Sequence, residues 1–264
     1  MKTAKTTSTV VVLDAGDSPY NTAVMEAVKE TWKFTGSFVF VSTADLAAQP
    51  LSPEKTYLLK TMRTDPVKFS GTFLSVVQGW KPKKGETLDQ SGDVFTSIPI
   101  ERELAYIQID PKAMNAKGMQ SMVGIYIKHL QNYMELVQGG KITDKATADR
   151  TYAGRNRLVR GTELWLAQEH LDKSLPDASK VKESYTAPSQ VMALGQLASA
   201  VGKKDPGITI TDVVMTGDHK NKHCFKRIFN CGTGELMYLR DDAAIFGKKE
   251  GFIAEDLKDL ERAR

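Results

Sequence analysis

Hydrophobic and polar positions along this chain switch between two periods, and the switches mark out its elements. The run from Ser8 to Asp14, STVVVLD, is apolar and too short for a helix, which predicts a buried strand. Ser18 then stands as an N-cap before Pro19, and Val24, Val28 and Trp32 recur at every fourth position. Together they predict a helix running to about Phe34 and ended by Gly36. SFVFVS from Ser37 reads as a second strand, followed by a short helical piece around Ala44 to Gln49. TYLLKTMR and KFSGTFLSVVQGW read as strands, with a bulge or bend expected at Gly71. Lys81 to Val94 is rich in Gly, Lys and Asp, has no apolar period and reads as an exposed loop. ELAYIQID, from Glu103 to Asp110, alternates strictly and restores a strand.

The clearest pattern runs from about Ala113 to Gln138. Met119, Val123, Tyr126, Leu130, Tyr133 and Val137 recur at helical spacing, and Met122, Ile125, Ile127 and Met134 widen the stripe. So broad a face fits a core helix between a sheet and another helix. Its alternative use is a homodimer interface centred on Met119, Tyr126 and Tyr133, since Met and aromatic residues serve both cores and interfaces. Gly139 and Gly140 end the helix.

Beyond an Arg-rich connection the order of elements repeats. TELWLAQ, SQVMAL, GITITDVVMT, HCFKRIFN and GELMYLR read as strands, with helices at Leu175 to Tyr185, Gln196 to Val201 and Ile253 to Arg262. The reading is an α/β protein of two similar tandem halves, each a mixed sheet with packed helices, sharing the long central amphipathic helix. The halves span residues 1–140 and 161–264, joined by 141–160.

Composition narrows the class. At 264 residues, with 41% hydrophobic and 26% charged residues, the chain is neither a disordered tail, a collagenous rod nor a disulfide-rich miniprotein. A net charge of +4 is dilute over this length, so nucleic acid is not the expected partner. The amino terminus holds only four consecutive strong hydrophobes, too few for the apolar core of a signal peptide. No run approaches the roughly 18–20 apolar residues that span a bilayer. As it stands the sequence reads as cytoplasmic, or as periplasmic or secreted if a leader was removed. Cys224 and Cys231 sit seven positions apart in a strand-like segment, about 23 Å when extended, too far for a disulfide and consistent with two ordinary thiols.

Candidate chemistry is sparse. Asp14 and Asp17 lie just past the first strand, where open α/β sheets collect ligands, and two carboxylates there suit Mg²⁺. Helix capping and Asx turns account for the same residues. Asp218, His219, His223 and Cys224 are possible zinc ligands, although a turn followed by a strand does not give the His pair one helical face. His129 reads as packing and His170 as a strand-end residue. Arg150, Arg155, Arg157 and Arg160, with Tyr152 among them, form the one local basic cluster and suit an anion. No nucleophile turn, glycine-rich phosphate loop or cofactor signature is present, so no cofactor is expected.

The segments YNTAVMEAVKETWKFTGSFVFVS, LWLAQEHLDKSLPDASKVKESY and GELMYLRDDAAIFGKKEGFIAEDLKDL together resemble a family of bacterial α/β proteins, often of the cell envelope, to which no activity is assigned. The resemblance implies a non-enzymatic envelope or assembly role. The absence of a catalytic set and the broad apolar face of the long helix point to a non-catalytic binding or assembly protein with an unidentified protein partner, and a homodimer through that face is one form of it. The competing reading is a metal- or phosphate-dependent enzyme, or a nucleotide-binding protein, that uses Asp14 and Asp17.

Overall fold

The computed structural model describes residues 7–49, 51–63, 71–85, 87–115, 120–217, 222–244 and 248–263. The chain is an α/β protein whose described residues form two compact units, one up to residue 141 and one from residue 142.

The first unit begins with β1 (Ser8–Leu13), α1 (Pro19–Thr31), β2 (Ser37–Ser42), α2 (Thr43–Ala47), β3 (Lys55–Arg63) and β4 (Gly71–Gln78). A short hairpin of β5 (Gln90–Ser91) and β6 (Val94–Phe95) precedes β7 (Glu103–Ile109), α3 (Pro111–Met114) and α4 (Gln120–Gln138). The main sheet order is β2-β1-β3-β4-β7, with β1 parallel to β2 and β3, and β4 antiparallel to β3 and β7. Ser18 caps α1 by accepting a hydrogen bond from the Asn21 amide at 3.1 Å. Thr9 locks the start of β1 in place. Its buried hydroxyl lies 2.7 Å from that of Thr35 and 2.9 Å from that of Thr56, and accepts from Trp32 Nε1 at 3.0 Å.

The long helix expected from Ala113 to Gln138 is divided. α3 ends at Met114, α4 begins at Gln120, and the intervening Met119 lies outside the described residues. α4 belongs to the first unit, where it packs against α1 and β7. Gly124 faces Ala27 of α1, where a side-chain carbon would sit 4.0 Å from Ala27 Cβ, an ordinary contact distance. Gln131, a polar residue of α4, is buried; its Oε1 accepts from the Lys33 and Phe34 amides at 2.9 and 3.0 Å. The bulge expected at Gly71 sits instead between Val76 and Val77, and Gly71, with φ of 145°, starts the strand. The expected exposed loop of residues 81–94 carries the β5–β6 hairpin, whose Val94 and Phe95 are buried.

In the second unit the Arg-rich stretch folds as α5 (Lys145–Ala153), capped by Asp144, and a 3-10 segment at Asn156–Gly161. There follow β8 (Glu163–Ala167), α6 (Ala178–Lys182), β9 (Ser189–Met192), α7 (Leu194–Val201), β10 (Ile208–Thr216), β11 (His223–Asn230), β12 (Leu236–Ala243) and α8 (Ala254–Arg262). α5 packs on β12, and the 3-10 segment packs on β8, β12 and α8. The sheet runs β12-β11-β10-β8-β9, with β8 parallel to β9 and β10, and β11 antiparallel to β10 and β12. Leu164, Leu166, Tyr185, Ile228, Phe252, Leu257 and Leu260 fill its core.

Gly79 follows β4, where any side chain would strike the carbonyl oxygens of Ser52 and Lys55 and the Tyr57 ring. Gly79→Ala is therefore expected to cost about 3 kcal/mol through overpacking. A lower urea midpoint, followed by fluorescence of the buried Trp32 and Trp80 of the same unit, checks it.

Candidate functional site

In an open sheet with a 2-1-3 strand order, the carboxyl ends of strands 1 and 3 flank the crevice where ligands collect. In the first unit these are the ends of β1 and β3. Asp14 leaves β1 there, and Asn21 from the first turn of α1 holds the turn: its Oδ1 accepts from the Asp14 amide at 2.7 Å. Its Nδ2 donates to the carbonyls of Asp14 and Gly16 at 3.0 and 2.8 Å. Gly16 has φ of 71°, a conformation that glycine adopts without strain.

The Asp14 carboxylate is turned into the protein. Its Oδ1 lies 2.5 Å from Nζ of Lys60, both side chains are about 5% exposed, and the ammonium sits 4.5 Å from the centre of the Tyr20 ring. Burial, and then the negative charges of Asp14 and Asp93, push the Tyr20 hydroxyl far above its ordinary pKa. That hydroxyl is buried and makes no hydrogen bond among the described residues. Asp17, the other carboxylate of this turn, is exposed.

The crevice itself is filled by the chain. β6 takes the place beside β3 beyond the end of β1, pairing Thr61 with Phe95 in parallel. Asp93, just before β6, accepts from the Ala15 amide at 2.7 Å and from the Thr43 hydroxyl at 3.0 Å, tying the hairpin to the ends of β1 and β2. Phe95 is fully buried among Val10, Val12, Leu59 and Trp80. Lys60, Tyr20, Asn21 and Asp93 were not singled out in the sequence. A lysine within the apolar strand TYLLKTMR was the available signal, since a buried ammonium requires a carboxylate.

The corresponding strand end of the second unit, after β8, carries a 3-10 turn at Gln168–His170. His170 is buried with Nδ1 3.1 Å from the Thr211 hydroxyl. Burial holds its pKa below the usual histidine value, outweighing the pull of Asp212 and Glu169. Nearby in the sheet, Asp212 meets Arg227 at 2.6 Å. Lys226 is fully buried between Asp242 and Asp256, at 2.6 Å from each. Asp256 also accepts from the Tyr238 hydroxyl at 2.8 Å and the Ile253 amide at 2.9 Å, the latter closing the first turn of α8. These are contacts that hold elements together.

The remaining candidates are dispersed. His223 is half-buried with Nδ1 3.9 Å from Asp241, while His219 and Asp218 lie outside the described residues. Among the described residues no group of three or more His, Cys, Asp or Glu side chains is placed to hold a metal. Cys224 and Cys231 are buried and not joined, and burial pushes the Cys224 thiol up to about 12. Arg155 stacks 5.3 Å from the Tyr152 ring and meets Glu235 at 3.6 Å, and Arg160 pairs with Glu261 at 3.3 Å. Arg150 and Arg157 are exposed. Tyr126, at 1% exposure, is core of the first unit and Tyr133 is half-buried. No helix among the described residues is long and apolar enough to cross a membrane.

Removing Lys226 leaves the buried Asp256 with Arg240, 3.3 Å from its other oxygen, as its remaining cation, so Lys226→Ala is expected to cost about 3 kcal/mol, measured by urea unfolding of the second unit. His170 gives a pH dependence. The unfolded chain takes up the histidine proton near 6.5 and the folded chain resists it, so stability falls as pH drops through about 6.5. His170→Asn is expected to flatten the slope of stability between about pH 7 and 5, relative to the parent protein.

Compared with known proteins, the chain matches no family model, no curated protein and no solved structure.

Proposed function

We propose that the chain is a non-catalytic binding or assembly protein made from two tandem copies of one α/β unit. The observation that carries the binding reading is the filled crevice. Where such a sheet ordinarily receives a ligand, β6 and Phe95 occupy the space and Asp14 is spent on Lys60. The resemblance to bacterial envelope proteins agrees with this role and extends it to that compartment.

The duplication reading draws support from register as well as order. Each sheet runs second-first-third-fourth-last strand once the β5–β6 insert is set aside, with the same parallel and antiparallel senses. Thr9 pairs with Phe38 and Thr56 as Leu164 pairs with Ser189 and Thr209. From Thr56 and Thr209 the antiparallel registers lead to Gln78 and Asn230. On that basis the two bulges, Val76/Val77 and Ile228/Phe229, fall at the same place. The side-chain amides of Gln78 and Asn230 then make the same hydrogen bond, each donating at 2.7 Å to the carbonyl of the proline three residues before its threonine, Pro53 or Pro206.

One observation favours the enzyme or nucleotide-binding reading: the buried Tyr20 hydroxyl, beside the Asp14 end of β1, has no hydrogen-bond partner among the described residues. Thermal unfolding with Mg²⁺, inorganic phosphate or ATP separates the two. The binding reading expects an unchanged transition with each. The rival expects stabilisation, about 2.7 kcal/mol at a hundredfold excess over Kd, that Asp17→Ala or Asp14→Ala removes relative to its own baseline.

A further inference from the structure

We propose that two copies of this chain associate edge to edge through β2, extending the first unit's sheet across a twofold axis. The inference rests on the binding-or-assembly reading and narrows it to self-association, through a surface other than α4.

Among the described residues β2 is an outer strand, paired with β1 alone. Its sequence, SFVFVS, carries no charge, no proline and no bulge, the devices that ordinarily protect an exposed edge. Val39 is 48% exposed at its centre. Phe38 and Phe40 lie on the helix-covered side with ring centres 5.6 Å apart, and Lys29 of α1 stands 5.8 Å from the Phe40 ring. Val41 faces the opposite side, packed on the core beneath the β5–β6 hairpin.

The second unit supplies an internal control. By the registers above, β9 is the equivalent outer strand, with Ser189 in the place of Phe38 and Gln190 in the place of Val39. β9 is shorter, four residues against six, and its exposed Gln190 is tied to Glu163 by a 2.7 Å hydrogen bond. The fold therefore accepts polar residues at this edge. At the places of Phe38 and Val39 the unit's own packing does not require apolar residues, whereas Val191 and Met192 keep the places of Phe40 and Val41 apolar.

The chemistry of the strand selects its occupant. A twofold perpendicular to the sheet pairs residues of the same face in antiparallel sense. Centred on Val39, it sets valine against valine on one face and Phe38 of each copy against Phe40 of the other on the opposite face. Aromatic cross-strand pairs stabilise such ladders, and two uncharged edges meet without repulsion. A single strand edge covers less than the roughly 800 Å² per partner of a standard stable interface. The dimer is accordingly a concentration-dependent equilibrium.

Sedimentation equilibrium of the full chain across a concentration series tests it. The expected result is a mass rising from 29.2 kDa towards twice that value, with amide exchange at residues 37–42 slowing as the dimer forms. Val39→Lys should weaken association by about tenfold or more, Val39→Gln should weaken it while copying a residue the twin unit accepts, and Gln190→Lys should leave it unchanged. A mass fixed at 29.2 kDa at every concentration overturns the proposal, as does a dimer that survives both Val39 substitutions with residues 37–42 unprotected. Either failure leaves the result of the Mg²⁺, phosphate and ATP measurements standing, so the two readings fail separately.

Discussion

Taking a lysine ammonium out of water costs several kcal/mol, and the cost is met only when a carboxylate comes with it in good geometry. Both units bury a lysine in a central strand, Lys60 in β3 and Lys226 in β11. Much of the surrounding architecture answers those two charges. Lys60 draws the Asp14 side chain inward at the end of β1. Lys226 draws Asp256, and with it the first turn of α8, down onto the sheet. A buried pair of this kind contributes little net stability over a hydrophobic replacement, but it penalises any arrangement that separates its members.

The same strand-end position has met two different fates. In the first unit an inserted hairpin continues the line of β1 and plugs the crevice with Phe95, while Asp93 stitches it to the neighbouring turns. In the second unit the chain turns into a 3-10 segment, with His170 against Thr211 and its carbonyl bonded to the Phe252 amide at 2.8 Å. Both solutions satisfy the backbone and side-chain polar groups that a parallel strand leaves at its carboxyl end. The two sheets share a strand order while the polar groups at these strand ends differ.

The α4 helix shows how a sequence pattern reports burial without naming the burying partner. Nine of the stripe's apolar positions lie on α4 and indicate a face that must be covered, and α1 and β7 pack on this helix within the first unit. A polar residue of the helix takes part as well, because Gln131 supplies acceptors to the two amides left open where the chain leaves α1. The Arg-rich stretch before β8 follows the same logic. Its charge suggested a solvated connection, yet Val159 at 0% exposure seats it in the second unit, with Arg155 and Arg160 fixed by glutamates of other elements.

What the sequence determined alone is what depends on near neighbours in the chain: β1 as an apolar run, the Ser18 cap and Pro19 start of α1, the alternation of β7, the broad apolar face of α4 and the order of elements in each half. These follow from backbone sterics and from the periods at which side chains return to one face. Only the tertiary structure decided which charges meet, that Asp14 faces Lys60 while Asp17 faces water, that Asp93 and Phe95 close the crevice, and that β2 is an outer strand. Those outcomes join residues far apart in the chain, and the free energy that selects among them is desolvation, which exists only after the sheet has brought the groups together and excluded water.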